Sequence, residues 1–268
     1  MNRYLKQICG QGKVLLEQYQ AEGYAIIKGL FTPTQLNTVQ TVLSIFHRNW
    51  QKANQAFYQQ HAINSAYLTA KQHLNDEQRL MLFEFICSDK LVAIAEKVIK
   101  NPAFLNTQLF FDPANSEKNN YWHRDIQYDF SHRQQKAMLE SGPSMPHFRI
   151  PLTSEKGVEV IPGSHKRWDT PKELEVRIEA NGKHSYDDLP NSRILEVERG
   201  DLLIFSAKML HRGVYGNNRF ALDILLVDDD SANLRSVSQD CLPDRKMFER
   251  LANPIVFERA MKARRTKD

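Results

Sequence analysis

The spacing of apolar positions divides the chain into three stretches. Over the first hundred residues it is mostly helical. Leu36, Val39, Leu43, Phe46 and Trp50 recur at helical intervals behind Thr32-Pro33-Thr34, where a hydroxyl can cap the first turn. Leu80, Leu82, Phe83 and Phe85 predict a second helix from Asp76 to Cys87. Ser88 can cap a third, DKLVAIAEKVIK, which Asn101-Pro102 ends, because the residue before a proline is driven out of the helical region. One short strand, Tyr24-Ala25-Ile26-Ile27, precedes the first long helix.

From Phe104 to Asp228 the pattern changes to short β-rich runs: FLNTQLFF, YWHRDIQY, HFRIPL, GVEVIP, RILEVE, DLLIF, MLHRGVY and RFALDILLV. Turn-forming stretches such as DPANSEKNN, SGPSMP, PGSHKRWD and ERGD separate them. Many short strands punctuated in this way predict an all-β sandwich or barrel. The segment from Pro243 to about Arg264 is helical again. Helices gathered at the ends, not alternating with strands, point to an α+β layering. We expect one domain over residues 1–268: a mainly helical part over 1–103, a strand-rich core over 104–228 and a C-terminal extension with a helix over 229–268.

Two of the predicted strands have an unusual polarity. In YWHRDIQYD the alternation puts Tyr121, His123, Asp125, Gln127 and Asp129 on one face and Trp122, Arg124, Ile126 and Tyr128 on the other. In RFALDILLV, Phe220, Leu222, Ile224 and Leu226 are all apolar, while Arg219, Ala221 and Asp223 share the opposite face. If the polar faces look inward they line a wet cavity; if outward, they are ordinary solvated surface.

Composition excludes several classes. A length of 268 residues fits one large domain or two small ones. With 41% apolar and 25% charged residues the chain has an ordinary globular balance. The net charge of +4 is spread along the chain. The one dense basic cluster, KARRTKD, reads as a solvated helix end, so no nucleic-acid partner is expected. Cys9, Cys87 and Cys241 are odd in number and unrelated in spacing, which argues against a disulfide framework or thiolate zinc site and for a reducing compartment. There is no signal-peptide pattern, and no apolar run nears the ~18 residues of a membrane span. These readings predict a cytoplasmic protein with no membrane partner.

The candidate chemistry centres on His123-Arg124-Asp125. Residues two apart on a strand point the same way, so an imidazole and a carboxylate would share one target. A second imidazole, His211, lies 88 residues on, and Arg219 follows it by eight. Two His and one carboxylate on one face of a metal, with the other positions open, is the arrangement of non-haem Fe(II) oxygenases. It also suits zinc. A lone His-x-Asp among nine His is usually an unrelated pair, so the wider context carries the reading.

Three segments occur in order: the His-x-Asp segment, GVEVIPGSHKRWD, and ERGDLLIFSAKMLHRGVYGNNR. With the opening EGYAIIKGLFTPTQLNTV, this order resembles the phytanoyl-CoA dioxygenase family of Fe(II)- and 2-oxoglutarate-dependent oxygenases, over roughly residues 20 to 228. The resemblance implies a double-stranded β-helix (jelly-roll, cupin-like) core with the N-terminal helices and a C-terminal helix packed on it. It implies His123, Asp125 and His211 as iron ligands, and Arg219 as the residue that binds the distal carboxylate of 2-oxoglutarate. The gap from His211 to Arg219 is shorter than in many members. Gln108, and Tyr121 or Trp122, are further candidates for co-substrate or pocket contacts. The implied chemistry consumes O2 and 2-oxoglutarate, releases succinate and carbon dioxide, and oxidises a C–H bond of a small-molecule substrate. In related halogenases a small residue replaces the carboxylate ligand, so Asp125 favours hydroxylation or desaturation.

Other readings stand beside this one. A zinc-dependent hydrolase or isomerase would have no general need for Arg219, and a binding protein with a decayed site should lack a ligand or the arginine. His-Arg-Asp also occurs in protein kinases, but these need Asn five residues after the Asp, where this chain has Phe130, and no Gly-rich phosphate loop precedes it. His165, after the Pro-Gly-Ser turn, reads as a loop-packing residue, and His132, His147 and His184 as structural or exposed.

Overall fold

Turn and capping signals along the chain set the element order of the computed structural model, which describes residues 3–265 apart from residue 116. The larger of two sheets runs β1 (Tyr24–Ile27), β7 (Leu202–Ser206), β4 (Pro146–Pro151), β9 (Phe220–Asp228), β3 (Pro102–Phe111) and β2 (Asn64–Ala66). The smaller runs β6 (Arg193–Val197), β5 (Glu155–Val160) and β8 (His211–Gly213). All the strand pairs are antiparallel. This is the expected double-stranded β-helix.

The helices are α1 (Arg3–Glu22), α2 (Pro33–Ala53), α3 (Gln55–Gln60), α4 (Asp76–Ile86), α5 (Asp89–Val98), α6 (His132–Ser141), α7 (Pro171–Arg177), α8 (Arg245–Phe248) and α9 (Ile255–Arg265). Thr32 caps α2 in a reciprocal box with Gln35, and Asn75 does the same for α4 with Gln78. The C-terminal helix expected from Pro243 to Arg264 is broken in two, because Pro254 forces Asn253 out of helical conformation. Residues 266–268, the end of the basic tail, and the Cys9 side chain lie outside what the structure describes. Cys87 and Cys241 are buried free thiols. Among the described residues no helix is long and apolar enough to cross a membrane.

The alternation of β9 decides which side faces what. Leu222, Ile224 and Leu226 join an apolar cluster with Phe104 of β3 and the helices, and Phe257 of α9 packs on Phe104 with ring centroids 5.0 Å apart. Burying each such side chain contributes roughly 1.5–3 kcal/mol. Arg219, Ala221 and Asp223 therefore look between the sheets. A second apolar cluster joins residues of both sheets: Tyr24, Val158, Val160, Leu195, Val197, Leu203, Phe205 and Met209.

One predicted strand does not form. In YWHRDIQY only His123 pairs, in a single bridge to His211, and Asp125–Gln127 coils into a 3₁₀ turn. The Gln127 side chain accepts from Arg124 N–H at 3.2 Å, taking a backbone donor that a strand would have offered to a neighbour.

A bulge sets one inward charge. Glu155 pairs with Val197 and Val158 with Leu195, so β5 carries one extra residue and both Glu155 and Val158 turn inward. Gly157 permits this at φ +70°; a Cβ there would lie 2.2 Å from the Leu195 carbonyl oxygen.

Candidate metal centre and cavity

The His123–His211 bridge is the keystone of the site. The two residues exchange both backbone hydrogen bonds, each at 2.9 Å, which puts their side chains on the same face with ring centroids 4.2 Å apart. Each ring is then locked by its own Nδ1. His123 Nδ1 donates to the Tyr121 carbonyl at 3.0 Å and His211 Nδ1 to the Met209 carbonyl at 2.9 Å. A carbonyl only accepts, so each Nδ1 carries a proton and each Nε2 is the nitrogen left to meet a metal. Burial pushes His211 down to about 3, which keeps that imidazole neutral.

Asp125 completes the cluster although it does not continue a strand. Its N–H donates to the Ala207 carbonyl at 3.0 Å, so the 3₁₀ turn starts against β7. Asp125 Oδ1 then lies 3.4 Å from His123 Nε2 and 3.6 Å from His211 Nε2. All three donor atoms lie within 4.8 Å of one another. Metal bonds of about 2.1 Å would set the donors about 3.0–3.4 Å apart, so two imidazole nitrogens and a carboxylate oxygen fit a divalent ion after a small contraction.

The second oxygen of Asp125 is already engaged. His147, on β4, donates from Nε2 to Asp125 Oδ2 at 2.7 Å and from Nδ1 to Asp223 Oδ2 at 3.1 Å. Both ring nitrogens face carboxylates, so the ring is an imidazolium. Burial opposes that charge, but the two carboxylates outweigh it and raise His147 to about 9. Burial also works to raise Asp125, yet the ring of imidazoles around it, with the His147 imidazolium bonded to Oδ2, holds its carboxyl well below the usual range. His147, expected to be structural or exposed, thus belongs to the site. Its partner Asp223 is 76 residues away, which no local pattern reveals.

Arg124 faces away from the cavity and anchors the same loop. It is fully buried; its Nε and Nη2 donate to Asp169 Oδ1 at 2.9 and 2.7 Å, and its Nη1 to the carbonyls of Ser164 and Lys208. Arg177 holds the other oxygen of Asp169 through Nε at 2.7 Å. Gln127 joins this network, accepting from Arg177 at 3.0 Å, and so leaves the polar face that the alternation assigned to it. His165 packs beneath the Pro-Gly-Ser turn, with Nε2 on the Gln20 carbonyl at 3.2 Å.

The cavity beside the three ligand candidates has a volume of about 570 Å³, within the range of about 300–1,000 Å³ usual for small-molecule sites. Gln108, Phe110, Arg149 and Arg219 line its inner part. Tyr67, Tyr121, Tyr128, Tyr215 and Asp129 also line it, and Tyr67 and Tyr128 are more than half exposed. Tyr121 and Tyr128 join hydroxyls at 2.8 Å. Trp122 is not among the lining residues. One position from His123, it turns the other way into a cluster with Ile161, Val176, Leu189 and Leu210, and donates Nε1–H to the Asp187 carbonyl at 3.0 Å. The expectation of a co-substrate contact there is corrected by that alternation.

Arg219 reaches the cavity despite the short gap. Gly216, Asn217 and Asn218 all take positive φ, which Gly and Asn tolerate best, and turn the chain back tightly. Asp112 clamps the turn, accepting from Gly216 N–H at 2.7 Å and Arg219 N–H at 3.0 Å. The guanidinium is buried, 5.3 Å from the Phe110 ring, with Nε 3.4 Å from Glu155 Oε2. Burial raises the Glu155 carboxyl, and among the described residues neither of its oxygens has a hydrogen-bond partner. Arg149, Arg219 and His147 thus face Asp125, Asp223 and Glu155 inside the barrel, three potential cations against three potential anions. A divalent metal and a dianionic co-substrate would leave that balance unchanged.

The phytanoyl-CoA dioxygenase (PhyH) family pattern matches residues 19–218. This chain belongs to the phytanoyl-CoA dioxygenase family. It is accordingly a non-haem iron, 2-oxoglutarate-dependent oxygenase. A search of curated proteins found no match. Solved structures share the family's jelly-roll fold at low identity. AviO1 from Streptomyces viridochromogenes Tue57 is 15% identical, with a TM-score of 0.56 over 81% of this chain and 94% of that one. EctD from S. alaskensis, solved with 2-oxoglutarate and 5-hydroxyectoine, is 13% identical, with a TM-score of 0.53 over 80% and 74%. HygX from Streptomyces hygroscopicus, solved with nickel and 2-oxoglutarate, is 13% identical, with a TM-score of 0.54 over 81% and 87%.

Proposed function

We propose that His123, Asp125 and His211 hold Fe(II), that Arg219 binds the distal carboxylate of 2-oxoglutarate, and that the enzyme hydroxylates an aliphatic C–H bond of a small molecule, releasing succinate and carbon dioxide. The observation that carries this is the convergence of two Nδ1-anchored imidazoles and Oδ1 of Asp125 on one point beside a cavity that also receives a buried arginine. Iron there would supply the activation of O2 coupled to oxidation of the 2-oxoacid.

The chain's own residues set the conditions. The Tyr121 and Met209 carbonyls fix the tautomer and aim of the two rings. His147 occupies Asp125 Oδ2, so the carboxylate offers a single oxygen, Oδ1, to the metal. Phe110 and Phe205 give the cavity an apolar wall, and low polarity strengthens charge-assisted contacts made beside it. A planar guanidinium matches a carboxylate with two parallel bonds, a role a zinc hydrolase would not require. Asp125 as a ligand carboxylate, instead of a small residue, supports oxygen transfer over halogenation.

The whole chain serves as one oxygenase domain, and its cysteine usage supports a cytoplasmic location. Anaerobic addition of Fe(II) and 2-oxoglutarate to the purified protein should give a visible metal-to-ligand charge-transfer band. Its absence from fully metallated protein would turn the assignment toward a zinc enzyme.

A further inference from the structure

The cavity holds two buried guanidiniums, and the function proposed above uses only one. Arg149 lies on β4, two residues beyond His147, and is 2% exposed. Its Nε and Nη2 donate to the two oxygens of Asp223 at 2.7 and 3.0 Å. Its Nη1 is buried and has no hydrogen-bond partner among the described residues. The group is fixed by its two bonds to Asp223 and lies close to two rings, Phe110 at 4.4 Å and Phe205 at 5.5 Å. Buried donors of native proteins are almost always paired, and an orphaned N–H on a charged, immobilised group in a cavity wall marks a place for a ligand acceptor.

Arg219 stands against the same Phe110 ring, at 5.3 Å. We infer that Arg149 is a second anchor for the co-substrate: its Nη1 donates to one oxygen of the distal carboxylate while Arg219 engages that carboxylate from the other side. This rests on the oxygenase reading of the site. Residues two apart on a strand are about 6.6–6.8 Å apart, a step suited to a short dicarboxylic acid reaching from the metal end, at His147, to Arg149. The hydrogen-bonded run Asp125–His147–Asp223–Arg149 ties this anchor to the proposed iron ligand, so both ends of the co-substrate site are set by one rigid unit. A carboxylate of the oxidised substrate is the other possible source of the acceptor. The described residues lining the cavity include no Lys, and no Arg besides Arg149 and Arg219, which favours the co-substrate.

The test compares 2-oxoglutarate with 2-oxovalerate, which keeps the 2-oxoacid end but lacks the distal carboxylate. Half-saturation of the anaerobic Fe(II) charge-transfer band is measured for the wild type, Arg149→Gln and Arg149→Lys, with Fe(II) affinity measured separately. Arg149→Gln should weaken 2-oxoglutarate at least tenfold and leave 2-oxovalerate within twofold. Arg149→Lys, which keeps a charge for Asp223 and guards against misfolding, should show the same selectivity with a smaller loss. Equal weakening of both acids, or unchanged 2-oxoglutarate affinity in both variants, would overturn the inference; the latter, with a weakened response to substrate, would assign Nη1 to the substrate instead. A wild type that binds Fe(II) but gives no band with either acid would overturn the oxygenase reading itself, and this inference with it.

Discussion

Gly213→Ala is expected to damage co-substrate binding while sparing the metal ligands. Gly213 ends β8, two residues from His211, with no positive φ, so alanine suits the backbone. Its new Cβ would lie 2.7 Å from Arg219 Nη1 and 3.5 Å from Cζ. The guanidinium must retreat by about 0.7 Å to reach ordinary van der Waals contact near 3.4 Å. It has little room: Phe110 lies 5.3 Å from Cζ, Glu155 3.4 Å from Nε, and the side chain is buried. A hydrogen bond between charged groups contributes roughly 1.5–3 kcal/mol, so loss of one of two parallel bonds should weaken 2-oxoglutarate by about 10- to 100-fold. Anaerobic titration of the charge-transfer band gives that ratio directly, and chelator competition gives Fe(II) affinity. The latter should change little, because the anchors of the His123 and His211 rings, the Tyr121 and Met209 carbonyls, lie outside the altered residue. Wild-type half-saturation in Gly213→Ala would refute the placement of the co-substrate at Arg219.

Four further outcomes are expected. Asp125→Ala should abolish succinate formation coupled to substrate oxidation, since the metal would be left with two imidazoles; unchanged succinate release would contradict the ligand assignment. His147→Leu removes the donors to Asp125 Oδ2 and Asp223 Oδ2 and should lower Fe(II) affinity by about 10- to 100-fold in chelator competition. Asp169→Ala strands the buried Arg124 and Arg177 guanidiniums and should cost about 3–5 kcal/mol in urea unfolding; a loss below about 1 kcal/mol would show that the network does not hold the loop. Burial lowers His165 to about 4, below its unfolded value of 6.5, so the folded state binds fewer protons between those limits. Its contribution to stability is therefore complete above pH 6.5 and is lost as the pH falls to 4, by about 1–2 kcal/mol after solvent screening. His165→Gln should flatten that part of the urea-midpoint profile, and parallel profiles for variant and wild type would refute the effect.

Element positions were legible because they depend on local chemistry. Thr32-Pro33, Asn101-Pro102 and the Gly/Pro/Asn turns constrain their own backbone, so the helices predicted after Thr32, Asn75 and Ser88 and all but one of the predicted core strands lie close to where the spacing put them, whereas α6 and α7 arise inside the strand-rich stretch. The exception, YWHRDIQY, has a strand-like alternation, but Gln127 competes for the Arg124 N–H and turns the chain after one bridge. The short gap before Arg219 was visible; the left-handed Gly-Asn-Asn turn and the Asp112 clamp that make it workable were not.

By itself the sequence determined most of the core strands, the Thr32 cap of α2 (the Ser88 hydroxyl makes no such bond at α5), the order of His123, Asp125, His211 and Arg219, and the split of β9 into an apolar and a polar face. Tertiary structure alone decided that the polar face looks into the barrel, because the apolar face had helices to cover it. It alone drew Gln127 into the Arg177 network and brought His147 between Asp125 and Asp223. Periodicity states which residues share a face. Only the packing of distant segments states what that face meets, and a buried charge is tolerable only where such a segment brings its partner.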